Sequence, residues 1–241
     1  MKLLSIAHLT YLFFTILFFV GGCFLVRKLN KKGQNIVFII ITFLACSGIF
    51  FRYAMGLGFK SFTPMTLVKQ LLQVCTFNFI LLPLMLIPKF ELARQYAIFF
   101  SMFAAMTSLL SVSKEWANLD PLCISIFNSW CNHTFTIALP LFMIASGRTK
   151  PKKSYIWKVI LCIFIYFTIN AGISKILINK GIFTIKNSLS YIFTTDGIFI
   201  FDILYKLIPV PYFYLYPLIP ILILFFFALS WAFRKYEVKE F

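Results

Sequence analysis

Residues Ala7 to Val26 read AHLTYLFFTILFFVGGCFLV and are closed by Arg27-Lys28-Leu29-Asn30-Lys31-Lys32. An apolar run of about 20 residues is the length of helix that crosses the hydrocarbon core of a bilayer. Lipid offers backbone N–H and C=O groups no partner, so the run must form a helix, which satisfies them internally. The basic cluster behind it marks a cytoplasmic end. His8 interrupts the start of the run and apolar residues continue past Cys23, so Val20-Gly21-Gly22-Cys23 is read as part of a retained helix rather than as a cleavage site.

The same pattern recurs along the chain. Further spans are predicted at 35–51, 71–87 (stopped by Pro88-Lys89), 96–112, 128–146, 155–177 and 212–233 (closed by Arg234-Lys235), with the first at 7–26. The expected fold is an all-α membrane protein, a seven-transmembrane-helix bundle forming a single polytopic domain over residues 1–241. Composition agrees. The chain is 61% apolar and 12% charged, whereas a soluble domain has about half its residues apolar and about 25% charged. The connection at 178–211 holds Gly181, Asp196, Gly197 and a half-apolar stretch at 198–208, too short to cross. An interfacial or re-entrant helix is expected there, with Asp202 and Lys206 in water.

The net charge of +16 would point to nucleic acid in a soluble protein. Here the basic residues lie between apolar runs, and no arginine-rich helix or aromatic stacking platform accompanies them, which argues against a nucleic-acid partner. With the N-terminus outside, the inner loops carry 14 of the 23 basic residues, Arg27, Lys89, Arg94, Arg148, Arg234 and Lys239 among them. The expected topology is therefore N-terminus outside and C-terminus cytoplasmic. The expected location is the cell membrane, multi-pass, with membrane lipids as partners and an acyl-lipid as candidate substrate.

Polar groups inside a span are costly and face the bundle interior. His8 begins the first predicted helix, and His133 lies near the start of the fifth, beside Asn132 and Thr134. The third predicted helix carries Gln73, Cys75, Thr76 and Asn78, with Cys75 and Asn78 on one face. All three helices start on the same side, so these groups lie at similar depth. A free Cys, with a pKa of about 8.5, is mostly thiol at neutral pH and needs a neighbouring base. Cys75, His133 and His8 are thus candidate catalytic residues, with Gln73, Asn78 and Asn132 candidates for substrate binding or for orienting an oxyanion. The competing reading is that the thiol only packs and that His and Asn only join helices, at about 1 kcal/mol per contact. None of the six cysteines forms a C-x-x-C pair and there are two histidines, so neither a metal nor a cofactor is expected. Cys123 and Cys131 are the pair open to oxidation if their side is oxidising.

Ser5-Ile6-Ala7-His8-Leu9, Leu71-Leu72-Gln73-Val74-Cys75, Asn132-His133 with Leu139-Pro140-Leu141, and Pro209-Val210-Pro211-Tyr212-Phe213-Tyr214 occur in an order that resembles the YwaF-type family of bacterial integral membrane proteins. Eukaryotic relatives of that family include phospholipid acyltransferases. Gln73 stands where the family commonly has His, and Asn170 and Asn179 are the candidates for the Asn of its Asn-Tyr signature. The resemblance implies an intramembrane lipid acyltransferase or acyl hydrolase using Cys75 and His133. A small-molecule permease or substrate-binding subunit, and a non-catalytic membrane structural factor, are the alternatives.

Overall fold

Helix α1 (Ile6–Lys28) is capped by Ser5, whose hydroxyl accepts a hydrogen bond from the His8 N–H, and carries Arg27 and Lys28 in its last turn. Those cations face the negative end of the helix dipole. The computed structural model describes residues 2–54, 72–111, 119–182, 189–195 and 198–235; Leu71, Val112, Asp196, Gly197 and Lys239 lie outside them. Helix α2 (Lys31–Ala54) starts a turn before the apolar run at Asn35. Asn30 sets that start: its Oδ1 accepts from the Gly33 N–H at 2.9 Å. Helix α3 (Val74–Met85) follows. Helix α4 (Glu91–Tyr96) runs through a π-helical turn (Ala97–Ser101) into α5 (Met102–Leu110), forming one rod.

Helix α6 (Ile124–Ala145) begins a turn before the predicted Asn128. Helix α7 (Ile156–Asn179) comes after a 3-10 turn, and the short α8 (Phe199–Leu207) occupies the stretch judged too short to cross. Helix α9 (Leu218–Ala232) starts later than the predicted Tyr212, because Tyr212 takes a left-handed φ of 68° and a 3-10 turn (Phe213–Leu215) precedes Pro217. Every regular element among the described residues is helical.

Glycine ends two of the rods. Gly147 (φ 78°) follows α6 and Gly181 (φ 67°) follows α7. In each case the glycine N–H and the next N–H turn back onto the last carbonyls: Gly147 to Ile144 and Arg148 to Met143, Gly181 to Ile178 and Ile182 to Leu177. This is the Schellman arrangement, which needs the left-handed conformation that glycine adopts without a Cβ penalty.

Among the described residues, three helical stretches are long and apolar enough to cross a membrane: Ile6–Lys28, Lys153–Asn179 and Phe213–Ala232. Each leaves most of its side chains unburied by the rest of the protein, as a lipid-facing helix does. Helix α6 is different. It packs against α1, α2, α3, α5 and the π turn, and it buries 13 residues from Ile126 to Ala145. A helix enclosed by other helices does not need an apolar surface all round, so its polar residues survive. Its approach to α1 is close, because a Cβ on Gly22 would fall inside the Phe142 ring.

The basic loops gather at one end. Arg27 donates to Ala145 O, and Arg148 donates to Gln34 Oε1, Lys31 O and Asn35 Oδ1. Arg94 donates to Met85 O and Ile87 O and pairs with Glu91, which also meets Lys152 at 3.1 Å. The loops after α1, α3 and α6 are thereby locked into one polar layer.

Candidate functional site

A cavity of about 420 Å³ opens between the π turn and α5 on one side and α7, α8 and α9 on the others. Its walls are almost wholly apolar: Phe100 and Phe103, Ile160, Phe164 and Phe167, and Ile219 and Leu222. Along α7 it reaches from Trp157 to Phe167, about 15 Å at 1.5 Å per residue. Polar atoms collect at one end, where Cys75, Ser108, Ser111, Ser190, Tyr212 and Tyr216 stand. Such a shape, an apolar slot with a few convergent polar groups, suits a ligand with a hydrocarbon tail and a polar end.

Cys75 is on this wall, at the first turn of α3. Asn78, one turn on, is buried and donates from Nδ2 to Cys75 O at 3.1 Å, while its Oδ1 has no hydrogen-bond partner among the described residues. Gln73 occupies the N-cap position of α3 without a side-chain capping bond; its carbonyl accepts from the Thr76 and Phe77 N–H groups. His133 is buried on α6, the helix that packs against α3. Its spacing puts it on the stripe of Ile126, Trp130 and Ile137, which meets Met102, Ala105 and Leu109 of α5. The thiol and the imidazole are therefore carried by neighbouring helices.

The remaining candidates have structural tasks. His8 is 1% exposed, with its Nε2 2.9 Å from Leu109 O and its Nδ1 accepting from the Leu4 N–H at 3.2 Å. The carbonyl can only accept, so Nε2 carries the hydrogen and both ring nitrogens are engaged. The ring also meets Trp130 edge-on. Asn132 donates to Ala45 O at 3.0 Å, and Asn128 donates to Gly48 O at 3.1 Å, both tying α6 to α2. No disulfide joins Cys123 to Cys131, and no cluster of metal-binding side chains occurs among the described residues.

Sequence reasoning missed Tyr166 and Ser190 and had Asn170 only through a family signature. Tyr166, Asn170 and Ser174 recur at four-residue spacing on α7 and so share one face of an otherwise apolar helix. That stripe holds the turn Leu189–Tyr191. Ser174 Oγ accepts from the Leu189 N–H, and Asn170 Nδ2 donates to Ser190 Oγ at 3.3 Å. Tyr166 Oη, Asn170 Nδ2 and Ser190 Oγ all donate to Leu72 O, at 2.5, 3.2 and 3.0 Å. A polar stripe in a lipid-spanning pattern is a signal the sequence does carry; the loop residue Ser190 leaves no such trace.

The TMEM164 family matches residues 3–230. No curated protein and no solved structure matches the chain. The chain belongs to the TMEM164 family, a family of transmembrane proteins.

Proposed function

We propose that this member of the TMEM164 family is a multi-pass membrane enzyme that transfers or hydrolyses an acyl group of a membrane lipid, with Cys75 as nucleophile and His133 as general base. The YwaF-type kinship read from the sequence belongs to this proposal, as do seven crossings within a single domain, an outer N-terminus and a cell-membrane location. The observation that carries it is the position of Cys75 on the wall of the cavity, on a helix packed against the one that bears His133. A lipid tail fills the apolar slot and its ester lies at the polar end.

The chemistry runs through a thioester. His133 takes the Cys75 Sγ proton as Sγ attacks the ester carbonyl carbon, and the C=O π pair moves onto oxygen. Collapse breaks the C–O bond, and the departing lipid alcohol receives the proton from the imidazolium. The acyl group is now on Cys75. A second alcohol, or water, attacks the thioester with His133 again as base; the C–S bond breaks and the thiolate regains a proton. His8 has no proton to move in this scheme, since both its nitrogens are engaged, and it acts as a fastener between α1 and the end of α5. Asn132 likewise holds α6 against α2.

Purified protein in micelles is incubated with a diacyl phospholipid and read by intact mass spectrometry. A hydroxylamine-labile acyl mass on Cys75, absent from folded Cys75→Ala protein, is the expected result. Lipid retained without any covalent adduct in the wild type defeats the enzymatic reading and favours a binding or transport role.

A further inference from the structure

We infer that Ser190 is the oxygen-recognising donor of the cavity, turning its O–H onto the carbonyl of a lipid ester, and that Tyr166 and Asn170 position it. This rests on the reading of the cavity as an acyl-lipid site and names what the site recognises: an ester, as opposed to an ether.

The hydrogen-bond inventory leads there. A backbone carbonyl offers two lone pairs. Leu72 O receives three donors, from Tyr166, Asn170 and Ser190. Rotating the Ser190 hydroxyl away leaves that carbonyl satisfied by the other two. Of the three donors, Ser190 alone is on the cavity wall, the wall that also holds Cys75. The cluster is unbalanced a second time: Asn170 is 1% exposed, and its Oδ1 has no hydrogen-bond partner among the described residues. Buried amide oxygens are rarely left so in a finished network.

The backbone adds a separate argument. Ser190 has φ 54° and ψ 37°, the left-handed region, without being glycine. A residue held there persists when its surroundings over-determine it, and such residues cluster at functional sites. The surroundings are Asn170 Nδ2, the Tyr166 hydroxyl at 3.2 Å and Leu72 O. They fix the Ser190 side chain at the polar end of the slot. When Cys75 Sγ attacks an ester there, negative charge grows on the carbonyl oxygen, and a fixed O–H donor in a water-poor site stabilises that charge.

Ser190→Gly separates this role from a structural one, because glycine adopts the left-handed backbone freely and keeps the turn while deleting the hydroxyl. The expected outcome is an unchanged or raised melting temperature, a KM raised by about tenfold and a kcat lowered by about 100-fold. Full turnover in folded Ser190→Gly overturns the inference. A second measurement does not depend on Cys75 chemistry. In Cys75→Ala protein, a diacyl phospholipid is compared with its dialkyl ether twin, which lacks the carbonyls. The ester should bind about tenfold more tightly, and Ser190→Gly should remove the difference. An ester-to-ether ratio that Ser190→Gly leaves unaltered overturns the inference. If wild-type Cys75 never takes up an acyl group yet the Ser190-dependent ester preference persists, the nucleophile assignment falls and the inference about Ser190 stands.

Discussion

The half of the molecule around α6 and the half around α7 and α9 use polar residues in opposite ways. Around α6, several polar side chains end on a neighbouring helix. Trp130 Nε1 donates to Thr15 Oγ1, Thr15 meets Thr134, Asn128 and Asn132 reach the α2 backbone, and His8 reaches Leu109 O. In the α7 half, Tyr166, Asn170 and Ser174 converge on the turn at Ser190 beside an apolar cavity of about 420 Å³. A polar group in a membrane helix is therefore not by itself a site. What separates glue from site is whether the polar group stands beside a space a ligand can enter.

Four substitutions probe that division. His133→Ala has the largest expected effect: Cys75 acylation slows by about 10²–10⁴, the range of a lost general base, with the helices intact by circular dichroism. Acylation at the wild-type rate would return His133 to the glue. Arg94→Ala comes next. It takes one donor from Glu91, which keeps Lys152 and Gln95, and two donors from the carbonyls at the end of α3, so unfolding in micelles should be about 2–4 kcal/mol easier. A loss near zero would show that the polar layer at this end does not hold the loops. Ala104→Phe, which fills part of the cavity, should lower lipid turnover by about tenfold while the melting temperature holds. Equal turnover would place the lipid elsewhere. His8→Ala is the mildest, at about 1 kcal/mol of stability, with Cys75 acylation retained. Loss of acylation at unchanged stability would restore a catalytic part for His8.

The helical class was legible from hydropathy, because a lipid-facing helix has to be apolar. Helix α6 shows where that logic thins. Its polar residues Asn128, Asn132, His133 and Thr134 dilute the hydropathy signal, and they are tolerated because other helices enclose it. The ends of the rods were less legible. Asn30 starts α2 early, and the left-handed Tyr212 delays α9, through local bonds and dihedrals that apolar counting does not see. Cys75, which lies on the cavity wall, could be picked out as a thiol among polar neighbours. The roles of His8 and Asn132 could not be assigned, since depth alone does not say which helix a side chain faces. Ser190 was illegible because its position depends on contacts across 118 residues, to Leu72 O.

The most direct test of the account is photo-crosslinking with a phospholipid whose acyl tail carries a diazirine, followed by peptide mapping. Adducts concentrated on Phe103, Ala104, Phe164 and Ile219 within the cavity, and lost in Ala104→Phe, are the expected result. Adducts spread along the exposed faces of α1 and α7, with the cavity walls unlabelled, would contradict it.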